Sequence, residues 1–178
     1  MASTLSILFA GFGGQGILFA GKLVAYAGLI EGRELSWLPS YGPEMRGGTA
    51  NCSVCLSDEP IGSPLVLEPD VLVAMNQPAL EKFLAQVVPG GMVLVDSSMA
   101  PRLPERDDLT IHALPATLLA EKAGLKGLAN VIMVGKLIKE TACCRPESMD
   151  AAIGKSVSAN KTHLLESNRS ALALGLAD

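Results

Sequence analysis

The sequence predicts an α/β chain: a three-layer α/β/α sandwich on a mostly parallel, mixed sheet with a Rossmann-like start. Three observations carry this. Strand-length apolar runs at residues 5–10, 71–75 and 92–95 are bounded by Gly, Pro or Asp, as buried strands are. Segments of helical periodicity alternate with them, which is the pattern of a layered α/β domain. Between the first run and the first helical segment stands Gly11-Phe12-Gly13-Gly14-Gln15-Gly16, a tight turn from strand into helix.

The helix after that turn carries a wide apolar stripe from Ile17 to Ile30, and Gly32 stops it. Its small residues, Ala20, Gly21, Ala25, Ala27 and Gly28, let it lie close to a neighbour. Residues 34–38 form a short strand that Pro39 ends. A loop follows, Tyr41-Gly42-Pro43-Glu44-Met45-Arg46-Gly47-Gly48, and then a strand over 49–56 rich in Thr, Val and Cys. With no room for a crossover helix, these two strands imply an antiparallel neighbour or a mixed sheet. Residues 70–75 form a core strand, and Pro78 opens a helix over 79–88, with Asn76 or Gln77 near its cap. Pro89-Gly90-Gly91 turns into the strand over 92–95. A short strand at 110–113 and a helix from Pro115 or Ala116 to Ala123 precede three helices, at 129–141, 147–156 and 161–176. Neither repeats nor linker composition divide the chain, so residues 1–178 read as a single domain.

Composition excludes several functions. The net charge of −4, without a Lys/Arg cluster, is not a nucleic-acid footprint. At 49% hydrophobic residues and a mean hydropathy of +0.36, the chain is apolar. No run nears the roughly 20 residues a membrane span needs, and the N-terminus lacks the basic flank of a signal peptide. The expectation is a cytoplasmic protein that buries apolar surface against partners. Cys52 and Cys55 form a C-x-x-C, but three positions along a strand put them on opposite faces. Cys143-Cys144 has no zinc or cluster spacing. All four read as buried, reduced thiols. His112 and His163 read as surface or packing residues, and Asp96-Ser97-Ser98 as a cap and turn.

The glycine loop satisfies G-x-G-x-x-G, yet the second strand ends Trp37-Leu38-Pro39-Ser40 without the carboxylate that holds a ribose. Gly16 is followed by Ile17-Leu18 in place of Lys-Ser/Thr, so the fit to a phosphate-binding P-loop is worse still. Three readings stay open: a dinucleotide site, a packing turn, or a contact to another anion or a partner. In the second loop Tyr41, Glu44 and Arg46 sit on a backbone fixed by Gly and Pro. They form either a preorganised anion-binding group or an ordered surface pair.

Together, the glycine loop, Tyr41 to Gly48, Thr49-Ala50-Asn51-Cys52, Gly62-Ser63-Pro64 and Met75-Asn76-Gln77-Pro78 resemble the gamma subunit of 2-oxoacid:ferredoxin oxidoreductases, also found as a domain of pyruvate:ferredoxin oxidoreductase. The resemblance covers residues 5 to 175, and the second loop looks most like the 2-oxoglutarate or branched-chain (2-ketoisovalerate) type. It implies a non-autonomous enzyme subunit with alpha and beta, and in some complexes delta, partners. The complex converts a 2-oxoacid, CoA and oxidised ferredoxin to acyl-CoA, CO2 and reduced ferredoxin. Thiamine diphosphate with Mg and the iron–sulfur clusters are expected in the partners, and no cofactor in this chain alone. By the same resemblance Gly11, Gly13, Gly14, Gln15 and Gly16 meet CoA phosphates or a partner, while Tyr41, Glu44, Arg46, Gly47 and Gly48 line the active-site interface. Expressed alone, such a chain can homodimerise through surface meant for partners. The alternatives are a free-standing nucleotide-binding oxidoreductase and a purely structural assembly subunit.

Overall fold

The computed structural model describes residues 4–40, 49–157 and 162–178. Six strands, β1 (Leu5–Phe12), β2 (Glu34–Ser40), β3 (Thr49–Ser57), β4 (Val71–Ala74), β5 (Met92–Asp96) and β6 (Thr110–Leu114), form one sheet in the order β2-β3-β1-β4-β5-β6. The pairs β1–β4, β4–β5 and β5–β6 are parallel, whereas β3 runs antiparallel to both β1 and β2. The sheet is therefore mixed, with β3 as its single reversed strand among the described residues.

Six α-helices accompany it among the described residues: α1 (Ile17–Ile30), α2 (Gln77–Phe83), α3 (Ala116–Lys122), α4 (Ala129–Thr141), α5 (Pro146–Ser156) and α6 (Thr162–Ala177). The two faces are covered unequally. Ile7, Phe9, Val54, Leu56, Val73 and Leu94 point to the face that packs with α1 and α4, with Met149 and Ile153 of α5 joining the same core. On the other face Leu8, Ala10, Leu72, Val93 and Val95 meet α2 through Ala79, Leu80 and Phe83. Beyond α2, the stretch 58–70 reaches over the β2–β3 end, where Leu65 and Val66 share a cavity of about 320 Å³ with Leu38, Ser40 and Asn51.

Small residues set the depth of α1, as its composition implies. A Cβ on Gly21 would strike Cys52 Sγ, and one on Gly28 would come within 2.5 Å of Leu56. The tightest crossing lies between α4 and α6, where a Cβ at Gly175 would collide with the Ile132 carbonyl and one at Gly135 with the Leu172 carbonyl. Backbone cannot yield as a side chain can, so only glycine fits there.

Most element ends fall within a residue or two of expectation. Pro39 does not end β2, which continues to Ser40; β2 is an edge strand, where a residue without an N–H is tolerated. Helix α2 ends at Phe83 and tightens into a 3-10 turn over Leu84–Gln86 instead of reaching residue 88. Arg106 explains the break: its Nη1 donates to the carbonyls of Leu84 (2.9 Å) and Val87 (3.3 Å), drawing them out of the helical ladder. Cys52 faces α1 and Cys55 the opposite side, as strand periodicity requires. All four cysteines are buried and free.

Candidate functional site

The glycine loop starts where β1 leaves the sheet. Gly11 is still strand, buried and paired with Ala50. A Cβ there would lie 2.6 Å from Ile17 Cδ1 and 2.7 Å from Gln15 Oε1, so Gly11 serves close packing and not ligand contact. Gly14 (φ 93°) and Gly16 (φ 72°) take the left-handed conformation that side-chain-bearing residues resist. Gly16 is also the N-cap of α1 and offers no side-chain cap.

Gln15 departs from its expected role. Its own N–H donates to Phe12 O at 3.2 Å. Its side chain turns inward: Oε1 accepts from Phe12 N (2.7 Å) and from Asn76 Nδ2 (2.8 Å), while Nε2 donates to Met75 O (2.9 Å). Gln15 is a brace that ties the loop to the end of β4, and its backbone N–H is already engaged within the turn. Asn76 in turn caps α2, its Oδ1 accepting from Ala79 N at 2.9 Å. The Met75-Asn76-Gln77-Pro78 motif is thereby wired to the glycine loop. Behind the loop, Asn130 of α4 donates to Gly16 O (3.0 Å), and its buried Oδ1 has no partner.

This leaves the N–H groups of Gly13, Gly14 and Gly16 without an acceptor among the described residues. Gly13 and Gly14 are exposed. Amides grouped at a helix N-terminus, with the positive end of its dipole behind them, form an anion-binding surface. A cavity of about 270 Å³ adjoins it, lined by Gly14, Gln15, Met75, Met99, Thr117 and Lys126 among others. Lys126 is exposed and puts a cation on the lining of the same cavity. Sequence reasoning passed over Lys126; its place in the short Gly124–Gly127 connection before α4 was the available signal.

The second loop, with Tyr41, Glu44, Arg46, Gly47 and Gly48, lies outside the described residues. Its brackets are fixed: Ser40 pairs with Asn51, and Thr49 pairs with Phe12. The chain thus leaves and re-enters the sheet beside the glycine loop. The same pairing bears on the dinucleotide reading. A dinucleotide fold puts β2 beside β1 and takes its ribose carboxylate from that strand's end. Here β3 occupies that place and presents Thr49, Ala50 and Asn51, none of them acidic.

At the neighbouring strand end Asp96 is fully buried. It accepts from Ser98 N (3.1 Å), from Thr117 N (3.2 and 3.3 Å) and from Thr117 Oγ1 (2.6 Å). Three donors thus hold the carboxylate, so Asp96 fixes the turn and the start of α3, as its cap-like sequence implies. Among the described residues no three His, Cys, Asp or Glu side chains gather as a metal site. His112 Nε2 lies 3.4 Å from Glu140 Oε2, and Lys136 Nζ lies 2.9 Å from Glu140 Oε1. The Lys136 hydrogen bond holds Glu140 below the usual carboxylate range despite its partial burial. No helix is long and apolar enough to cross a membrane among the described residues.

Residues 6–177 match the family described as pyruvate ferredoxin/flavodoxin oxidoreductase. Ketoisovalerate oxidoreductase subunit VorA of Methanothermobacter marburgensis is 46% identical over 132 residues, which are 74% of this chain but only 27% of that subunit's length. The 2-oxoglutarate synthase subunit KorC of Methanocaldococcus jannaschii is 41% identical over 155 residues, 85% of this chain and 82% of that one. Among solved structures, the gamma subunit of a keto/oxoacid ferredoxin oxidoreductase from Geobacter sulfurreducens superposes with a TM-score of 0.85 at 30% identity, covering 97% of this chain and 96% of that chain. On sequence and fold alike, the chain belongs to the pyruvate ferredoxin/flavodoxin oxidoreductase family.

Proposed function

We propose that the chain is the gamma subunit of a cytoplasmic, multi-subunit 2-oxoacid:ferredoxin oxidoreductase, acting as one unit over residues 1–178. The complex oxidatively decarboxylates 2-oxoglutarate or a branched-chain 2-oxoacid to acyl-CoA, CO2 and reduced ferredoxin. Thiamine diphosphate, Mg and the iron–sulfur clusters belong to the alpha, beta or delta partners. This chain's part is to hold the CoA phosphates at the shared edge. The observation that carries this reading is the rim of acceptor-free amides at Gly13, Gly14 and Gly16 on the N-terminus of α1, with Lys126 across the adjoining cavity. Rigid amides bind an anion without reorganisation, and Lys126 neutralises a second charge. Tyr41, Glu44 and Arg46 extend this edge toward the thiamine site, a role that rests on the sequence resemblance. Leu65 and Leu67, 56% and 68% exposed, support the subunit reading, since apolar side chains so exposed suit burial against a partner.

The test is CoA saturation kinetics of the assembled complex, comparing wild type with Gly14→Val and Arg46→Ala. One lost phosphate contact, worth about 1.4 kcal/mol, raises the KM for CoA roughly tenfold, with assembly on a sizing column unchanged. Wild-type CoA kinetics in both variants would reduce the two loops to structural turns. Binding of NAD(H) by the purified chain would favour the free-standing oxidoreductase instead.

A further inference from the structure

Asn130 is the second residue of α4 and is only 3% exposed. Asparagine near a helix start ordinarily serves its own backbone as a cap. Here the N-cap is Leu128, which offers no side-chain bond, and Asn130 Nδ2 reaches out of its helix to Gly16 O at 3.0 Å. Gly16 O does not need that donor, because it already accepts from Ala20 N at 3.0 Å in the first turn of α1. The other end of the amide gains nothing, since Oδ1 is buried without a partner. An acceptor left unpaired in the interior destabilises a fold. An apolar side chain of the same shape would avoid that cost, so stability does not account for an amide at this position.

The contact is close-fitting. A Cβ on Gly16 would lie 2.3 Å from Asn130 Nδ2, so Gly16 is needed for room as well as for its positive φ. Among the described residues this is the one hydrogen bond between the glycine loop and α3, α4 or their connection. That connection is itself tied down: Leu125 N donates to Ala120 O (2.8 Å) and Leu128 N to Leu125 O (3.0 Å). The backbone that carries Lys126 is thus continuous with the start of α4. On its other side the loop is held to the end of β4 by Gln15. Gly14 and Gln15 line the adjoining cavity from the loop, and Lys126 and Ala129 line it from the α4 side. Glu121 of α3 lines it too, so an anion is held there only where amides and lysine act together against that carboxylate.

We propose that Asn130 is a positioning residue: its amide fixes the glycine loop to the start of α4, and so sets the amide rim and Lys126 at the separation that grips a diphosphate. It acts through Gly16 and touches no ligand, because its Oδ1 is closed off inside the fold. The identity of the ligand rests on the CoA reading above; the lock itself does not.

Asn130→Leu keeps the shape and removes both ends of the amide, and Asn130→Ala is the second variant. The folded full-length chain is unfolded in urea and titrated with inorganic pyrophosphate, followed through the backbone amide signals of Gly13, Gly14 and Gly16. The assembled complex is assayed for CoA saturation. Asn130→Leu is expected to unfold at the wild-type urea concentration or above it, yet to bind pyrophosphate about fivefold more weakly and to raise the KM for CoA by a similar factor at unchanged kcat. In a Lys126→Ala background the same substitution weakens pyrophosphate binding less than about twofold, because no cation remains to be set in place. Equal factors in the two backgrounds would mark a residue that merely supports the fold and would overturn the proposal. So would unchanged pyrophosphate affinity in both Asn130 variants, or glycine amides that do not respond to pyrophosphate in the wild-type chain. Weaker pyrophosphate binding beside wild-type CoA kinetics keeps Asn130 in its role and sinks the CoA reading instead.

Discussion

The chain uses glycine at two contacts in opposite ways. At the α4–α6 crossing, Gly135 and Gly175 are required for space: any Cβ would run into a carbonyl of the facing helix. At the end of β1, Gly14 has nothing within 4 Å of where its Cβ would be. It is required instead for its φ of 93°, which turns free amides outward. The first contact stabilises the fold, and the second spends conformational freedom on a surface that no other part of the described chain fills. Identical residues thus mark a packing joint and an open cradle, and the neighbours alone distinguish them.

The comparison can be broken most decisively at the joint. Gly175→Ala should cost about 3 kcal/mol, at the upper end for overpacking because backbone cannot step aside; urea denaturation measures it. Gln15→Ala comes next, at about 2 kcal/mol, since it strands the Phe12 N–H, the Asn76 amide and the Met75 carbonyl. Its loss should appear in the same titration and also in weaker CoA use by the assembled complex. Gly14→Ala should cost only about 1 kcal/mol, the strain of placing a Cβ at positive φ. If Gly14→Ala proved more destabilising than Gly175→Ala, the division into joint and cradle would fail.

The smallest effect concerns pH. Glu140 is held below the usual carboxylate range, first by its Lys136 hydrogen bond. Its folded value therefore lies beneath its unfolded one. The stabilisation is present above the unfolded value, near 4.3, and is lost as pH falls through the folded one. Glu140→Gln should lower stability by less than about 1 kcal/mol at pH 7, with the gap smaller in acid, below the folded value. Melting curves under the two conditions check the sign; a gap that widened on acidification would refute it.

What could be read from the sequence was local. Glycine and proline punctuation located the elements, and α4 begins and ends where its periodicity says. The opposite facing of Cys52 and Cys55 followed from strand period alone. What could not be read depends on partners distant in the chain. Nothing near Gln15 shows that its amide braces Met75 and Asn76, so it passed for one more donor in the loop. Gly135 and Gly175 sit inside helical patterns that look complete without them. The insertion of β3 between β1 and β2 is a pairing choice made across the sheet, and Lys126 acquires a role only once α4 is placed.

That reversed strand also bears on how the molecule assembles in time. The β2–β3 pair is a hairpin and closes locally, whereas β1 must find β3 across the whole of α1 and β2. Long closures come late because their entropy must be met before their contacts form. The register Phe12↔Thr49, which sets the start of β3 beside the glycine loop, is the outermost rung of that late pairing. Destabilising substitutions at this rung should then speed unfolding and leave the folding rate nearly unchanged.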